Sequence, residues 1–408
     1  MKEIYIQREL EETINKYLGK REIIAIVGAR QCGKTTLMKK IFKNLKKAIS
    51  ISFDEREKLS LFDNDIESFI ELYVKNFDYL FIDEFQYSKE GGKKLKYIYD
   101  SHKIKIIISG SSVSELSIQS IKYLVGRIFI FTLYPFSFSE FLQYKNRDLY
   151  NIYSKNKEFS EEVISMIRRL YEEFIIYGGY PRVVLSESKE EKEVVLRNIY
   201  NTYLLKEIRE ILGLRDEDKL SKLMHAISLQ IGSLINYNEL SKIADMSYKE
   251  VINNLNILKK TFVILESKPF YANKRKELSK NPKFYFLDNG FRNIITSNFQ
   301  KLDNRADRGQ INENFVSSEI TKAGLDIKYW RTKSKAEIDF VIEKSGKVMP
   351  IEVKSDLRDA KITKSVYSFA KKYKVKEAFI LSEGLDKTLN TEFGKVHFKP
   401  IFTIKKLI

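Results

Sequence analysis

Residues 21–42 read REIIAIVGARQCGKTTLMKKIF, and no other stretch of the 408-residue chain limits the fold as tightly. The apolar, β-branched run Ile23 to Val27 predicts a buried strand, and the residues from Lys34 onward predict an amphipathic helix. Between them Gly28-Ala29-Arg30-Gln31-Cys32-Gly33-Lys34-Thr35 fits G-x-x-x-x-G-K-[ST]. Glycines there let backbone N–H groups close around phosphates, which the N-terminus of the following helix also attracts. On this reading residues 28 to 36, Thr36 included, cradle the phosphates of ATP, Lys34 reaches the β and γ phosphates, and Thr35 reaches Mg2+. The bland alternative is a solvated turn before a helix.

Two further apolar runs meet the needs of such a site. FDYLFIDEFQ reads as a buried strand ending in Asp83-Glu84, where Asp83 would hold Mg2+ through water and Glu84 would polarise the attacking water. KIKIIISGSSV ends in the hydroxyls of Ser109, Ser111 and Ser112, where a polar sensor of the γ phosphate would stand; Ser109 is the candidate at the strand end. KAISISFDE adds a strand ending in Asp54, so that β and α segments alternate as a doubly wound parallel sheet requires. Cys32, the sole cysteine, excludes an intramolecular disulfide framework and reads as a small buried filler in the loop.

GARQCGKTTL, FIDEFQ, ISGSSV, LVGRIFIFTLYPFSFSEFL and YGGYPRVV together resemble the AAA+-type ATPases of archaea and bacteria that carry a fused C-terminal domain of unknown function. The likeness runs over essentially the whole chain. It implies that Gly126-Arg127 is the Gly-Arg pair after the sensor strand, with Arg127 contacting the γ phosphate of its own or a neighbouring nucleotide; a structural salt bridge is the competing role. The loop departs from many members of that family in having Ala29 and Cys32, neither at a position that supplies a side-chain ligand.

From about Ser160 to Leu212 apolar residues recur at helical spacing, broken by Gly178-Gly179-Tyr180-Pro181, as expected of a helical lid. Arg182, Lys206 and Arg209 are its candidate sensors of the nucleotide state. KLSKLMHAISLQIGSLINYNELSKIADMSYKEVINNLNILKK then has helix-turn-helix rhythm, with Ser247 as N-cap, Glu250 at the capping-box position, and Val251, Leu255 and Leu258 facing inward. Lys249, Asn253, Asn254 and Asn256 are expected on its exposed side. Two apolar strands around the basic tip Asn273-Lys274-Arg275-Lys276 have the form of a wing, so this segment reads as a winged helix that contacts DNA or docks a protein.

PIEVKS, residues 350 to 355, follows EIDF, so Asp339, Glu352 and Lys354 fall in the order acid, acid, x, Lys. A strand period of two puts Glu352 and Lys354 on one face. Metal-dependent nucleases need carboxylates converging on Mg2+ beside a lysine, although Glu-x-Lys alone more often marks a solvated strand face. The order helix, strand, strand, strand around these residues resembles a restriction-endonuclease-like fold, in particular the Holliday-junction-resolvase type, whose Gly-x-x-x-Glu helix Gly309 and Glu313 match. That resemblance implies a metal site of Glu313, Asp339, Glu352 and Lys354; the alternative is a retained nuclease fold that binds a partner without cleavage. His102, His225 and His397 are too dispersed for a histidine metal site.

The expected architecture is therefore α/β: a P-loop, AAA+-like doubly wound parallel sheet (1–150), a helical lid (151–215), a winged helix (216–300) and a restriction-endonuclease-like α/β domain (301–408). A formal charge of +17 points to an anionic partner, nucleic acid first, though enrichment in Lys, Ile and Glu also follows from heat adaptation. The longest apolar runs fall well short of a membrane span, and a reduced, cytoplasmic setting is expected. An AAA+-type chain also invites a homo-oligomer.

Overall fold

Ile23–Val27 forms β1, buried along its whole length, and it splits its side chains between two cores. Ile23, Ala25 and Val27 join a cluster with Phe53, Phe62, Phe69 and Phe85, while Ile24 and Ile26 face Leu37, Met38 and Ile41 of the Lys34–Phe42 helix. A strand covered on both faces must be apolar at every position, which is why IIAIV shows no alternation. The computed structural model describes residues 5–110, 121–202, 208, 217–271, 277, 280–357 and 359–408. These fall into two compact units, Met1–Phe136 with Lys260–Phe262, and Ser137–Lys259 with Val263–Ile408.

In the first unit β2 (Ala48–Ser52), β3 (Tyr79–Asp83), β4 (Lys105–Gly110) and β5 (Ile128–Thr132) join β1 in the order β2-β3-β4-β1-β5, every pair parallel. The carboxyl ends of β1, β3 and β4 consequently share one edge, where Val27 pairs with Gly110 and Ile82 with Ile108. Open α/β sheets bind their ligands outside that edge.

The second unit begins with helices. Phe138–Lys145 is opened by a capping box of Ser137 and Glu140, and Glu161–Tyr177 starts on Ser160 and stops at Gly178. Arg182 pairs with Glu191 at 3.0 Å on the surface, and Lys206 and Arg209 lie outside the described residues. Helices Glu217–Leu229, Tyr237–Ala244 and Tyr248–Lys260 follow, with an isolated antiparallel bridge between Leu234 and Lys283. The capping box forms, Ser247 N–H donating to Glu250 at 2.7 Å and Glu250 N–H to Ser247 Oγ at 3.2 Å. Val251, Leu255 and Leu258 are buried as expected, but so is Asn254, whose amide reaches Met246 Sδ at 3.2 Å. Asn254 therefore leaves the exposed face it was assigned to.

After these helices β6 (Ile264–Pro269) and β7 (Lys283–Phe286) pair antiparallel, while the basic tip 273–276 lies outside the described residues. β6 also pairs in parallel with β8 (Lys328–Arg331), so the hairpin is the end of a larger sheet. With β9 (Glu337–Lys344), β10 (Lys347–Val353), β11 (Glu377–Ser382), β12 (Lys387–Thr391) and β13 (Gly394–Pro400) the order is β12-β13-β11-β10-β9-β8-β6-β7. The Arg308–Lys322 helix precedes β8, strands β8 to β10 are antiparallel neighbours, and the Lys364–Tyr373 helix leads from β10 to β11, which pairs with β10 in parallel. Trp330, Ile338, Val341, Phe369, Ile380 and Phe398 fill the core between sheet and helix.

Candidate functional site

The loop after β1 is shaped by close packing. A Cβ at Gly28 would overlap the Leu133 carbonyl, and Leu133 N–H donates to Val27 C=O at 2.7 Å, so only glycine lets the chain turn against the end of β5. Gly33, at φ 92°, ends the loop and Lys34 starts the helix. The Lys34 ammonium is buried and donates to the carbonyls of Gly28 and Ala29, both at 3.0 Å. Weak carbonyl partners of this kind are readily exchanged for phosphate oxygens. Thr35 and Thr36 are exposed on the first helical turn, Arg30 is half-buried, and Gln31 is exposed at φ 61°.

Cys32 is buried and donates its thiol to Ala29 C=O at 2.5 Å. Burial pushes its pKa up against the pull of Lys34 and Arg8, so it stays a neutral thiol. Arg8, which sequence reasoning missed, braces the loop from outside the motif. Its buried guanidinium donates to Cys32 C=O at 2.8 Å and Tyr134 C=O at 2.5 Å and stacks over Phe136 at 4.5 Å. A lone arginine before a helix carries no sequence signal for that role.

At the neighbouring strand ends Ser109 Oγ donates to Asp83 Oδ1, the same oxygen that accepts Glu84 N–H at 3.1 Å. Glu84 sits in the left-handed region at φ 54° and accepts from the Gln86 amide. The structure thus joins Asp83, Glu84 and Ser109; Ser111 and Ser112 lie outside the described residues. The donor set suits a Mg2+–nucleotide, because Mg2+ takes one or two protein oxygens and keeps the rest for phosphate and water.

Arg127 is elsewhere. Ile23 N–H donates to its carbonyl at 2.8 Å, and β1 and β5 run parallel from that end, so Arg127 stands at the amino edge of a sheet whose loop leaves the carboxyl edge. Five residues of strand, about 16 Å, separate the two edges. Its guanidinium pairs with Asp100 at 3.0 Å and lies 5.9 Å from the Tyr99 ring. The expected contact with its own nucleotide is corrected by this placement.

In the second unit Val353 N–H donates to Asp339 Oδ2 at 2.8 Å, and the β9–β10 register that pairs Phe340 with Ile351 brings Asp339 beside Glu352. Glu352 is buried, accepting from Thr363 Oγ1 at 2.5 Å and from Lys354 Nζ at 2.9 Å. Glu313, on the Arg308–Lys322 helix, accepts from Tyr285 OH at 3.3 Å. Burial first, then the Asp339 charge, raises Glu313 well above the usual carboxylate range, and burial raises Asp339 against the opposing charges of Lys283 and Lys354. Burial disfavours the Lys354 ammonium, but the Asp339 and Glu352 carboxylates outweigh it and raise its pKa. The four expected residues do share one electrostatic neighbourhood. Yet among the described residues no three His, Cys, Asp or Glu side chains are spaced to hold a metal ion.

Lys283 and Tyr285 also belong to this neighbourhood and were not anticipated. KFYF reads as an apolar strand, and a lysine two residues from a tyrosine on one face was the only hint.

Residues 20–142 match a family model described as AAA domain, residues 168–302 one described as domain of unknown function (DUF8612), and residues 308–401 one described as domain of unknown function (DUF4143). The first of these matches spans all five strands of the parallel sheet, β1 to β5. An uncharacterised protein of Haemophilus influenzae is 28% identical over 280 residues, 67% of this chain and 65% of its own length. An uncharacterised protein of Methanocaldococcus jannaschii is 25% identical over 368 residues, 86% of this chain and 79% of its own. The chain thus spans just under two thirds of the Haemophilus relative. Among solved structures, the Walker-type ATPase of Pyrococcus abyssi is 16% identical with a TM-score of 0.43, covering 72% of this chain and 96% of that one. No helix among the described residues is long and apolar enough to cross a membrane.

Proposed function

We propose that the first unit is an AAA-type ATPase domain that binds ATP with Mg2+ and hydrolyses it, and that the second unit acts on or beside nucleic acid. The observation that carries the ATPase is the joining of Asp83, Glu84 and Ser109 on the sheet edge from which the Lys34 loop also leaves. Bound Mg2+, held from Thr35 and Asp83, would supply charge neutralisation at the β and γ phosphates. Lys34 trades its loop carbonyls for phosphate oxygens, Ser109 orients Asp83, and Glu84 orients the attacking water. Lys34→Ala should weaken nucleotide binding tenfold or more, while Glu84→Gln should keep binding and lose about 100-fold in turnover. Binding and turnover both intact in Lys34→Ala would end this reading. Arg127, half-buried on the opposite edge and paired with Asp100, would serve a neighbouring copy in a homo-oligomer.

The nucleic-acid part rests on element order and charge. Helix, short bridge, two helices and a hairpin is the order of a winged helix. Helix, three antiparallel strands, helix and a parallel strand, with Asp339 on β9 and Glu352 and Lys354 on or just after β10, is the order of a restriction-endonuclease-like fold. Incubation with branched and linear DNA plus Mg2+ or Mn2+ tests cleavage, which Asp339→Ala and Lys354→Ala must abolish. One observation favours a second reading, a nucleotide-dependent switch or scaffold whose last domain binds a protein partner and cuts nothing. Glu313, Asp339 and Glu352 each already have hydrogen-bond partners within the chain.

A further inference from the structure

Four carboxylates crowd the face shared by β9, β10 and the Arg308–Lys322 helix, and the chain brings its own cation to them. Glu337 and Asp339 alternate on one face of β9, Asp339 neighbours Glu352, and Glu313 approaches from the helix. Asp339 and Glu352 are buried, and the Glu313 carboxylate is close enough to raise its pKa through the Asp339 charge. Such a group cannot remain ionised without positive charge nearby. In nucleases the counter-charge is a divalent metal.

Here β7 supplies it. Lys283 and Tyr285 project from the same face of that strand; Tyr285 OH reaches Glu313, and the Lys283 ammonium pairs with Glu337. Lys283 is only 2% exposed, an unusual burial for an amine unless it is paired. Its charge acts on Glu313 and Asp339 as well, ahead of that of Lys354 at Asp339. The turn between the Glu217–Leu229 and Tyr237–Ala244 helices closes the other side, for a Cβ at Gly232 would come within 2.7 Å of Glu313 Oε2. Carboxylates held by Tyr285, Thr363, Lys354 and Lys283, with no three of them spaced for an ion, do not fit a resident metal as they stand.

We propose that Lys283 is the resident cation of this carboxylate cluster and that its ammonium, delivered by β7, keeps the cluster closed to divalent metal in the full chain. The proposal rests on reading the last domain as restriction-endonuclease-like. Replacing Lys283 by methionine keeps the aliphatic stem but leaves buried carboxylates uncompensated, and a divalent cation is then the ligand that restores the balance.

The test is Mn2+ binding to the nucleotide-free full chain, followed by electron paramagnetic resonance, in wild type, Asp339→Asn, Lys283→Arg, Lys283→Met and the Lys283→Met/Asp339→Asn double variant. Wild type and Lys283→Arg should show no Mn2+ site that depends on Asp339, and Lys283→Met should gain one at least tenfold tighter that the double variant loses. A wild-type site lost in Asp339→Asn overturns the proposal, as does a folded Lys283→Met that gains none. Should Lys283→Met fail to melt cooperatively, the wild-type and Asp339→Asn pair alone decides. Cleavage of branched DNA separates the two claims. Asp339-dependent cutting by wild type sinks the closed cluster and keeps the nuclease, whereas Mn2+ bound by Lys283→Met without cutting keeps the closed cluster and sinks the nuclease.

Discussion

Arg8 shows how a single residue outside a motif can set its geometry. Two carbonyls, one in the phosphate loop and one after β5, converge on one guanidinium, whose planar fork offers N–H groups on two separate nitrogens where a lysine has one. Arg8→Ala should cost about 2–4 kcal/mol in thermal or urea unfolding, and Arg8→Lys should recover less than half of it. Asp307 offers the matching case for pH. Burial pushes its carboxyl up, but hydrogen bonds from Arg305 and the Arg292 charge outweigh that and hold it at about 2, below its ordinary 3.8. Between those values the unfolded chain binds the extra proton, so stability rises with pH there. The contribution is complete above pH 3.8 and is lost as pH falls through about 2. Asp307→Asn should therefore lower stability at neutral pH and flatten the acid limb of the profile. Residue by residue, the placing of Gly28, Lys34, Thr35, Asp83, Glu84 and Ser109 at the loop, the helix start and the strand ends was legible, because local pattern sets those positions. Arg8 and Lys283 were not, since their partners are a backbone carbonyl and a carboxylate far away in sequence.

Elements whose periodicity is local were readable in advance. β1 announced itself by five apolar residues, and the Tyr248–Lys260 helix by Ser247 and Glu250, which form the capping box. What periodicity cannot supply is the neighbour across a helix face: Asn254, polar and spaced like its exposed companions, is covered by Met246. The hairpin of β6 and β7 is where the wing reading is tested. Replacing Lys274, Arg275 and Lys276 together by alanine should weaken DNA binding about tenfold at moderate salt and reduce the dependence of log K on log salt by roughly 2–3. An unchanged salt slope would leave the segment as a protein-docking unit.

At the scale of the whole molecule, the parallel pairing of the first sheet follows from short alternating β and α segments, but the far end of the chain depends on pairings no local pattern announces. β6 joins β8 across some 60 residues, and Asn314 bonds both the N–H and the C=O of Phe286, at 2.6 and 3.0 Å. A boundary at residue 300 would cut through these contacts. A fragment of residues 137–300 should accordingly fail to give a cooperative melt, whereas residues 137–408 should give one; a sharp transition in the shorter piece would show that its helices fold without the later strands.

Cys32 gives the chain one thiol, set within the phosphate loop and buried against the Ala29 carbonyl. Its reaction with a thiol reagent therefore requires the loop to open, so labelling kinetics become a clock for that opening with no engineered probe. Slower labelling when nucleotide is added would time the loop's closure directly, in a 408-residue chain that carries no competing cysteine.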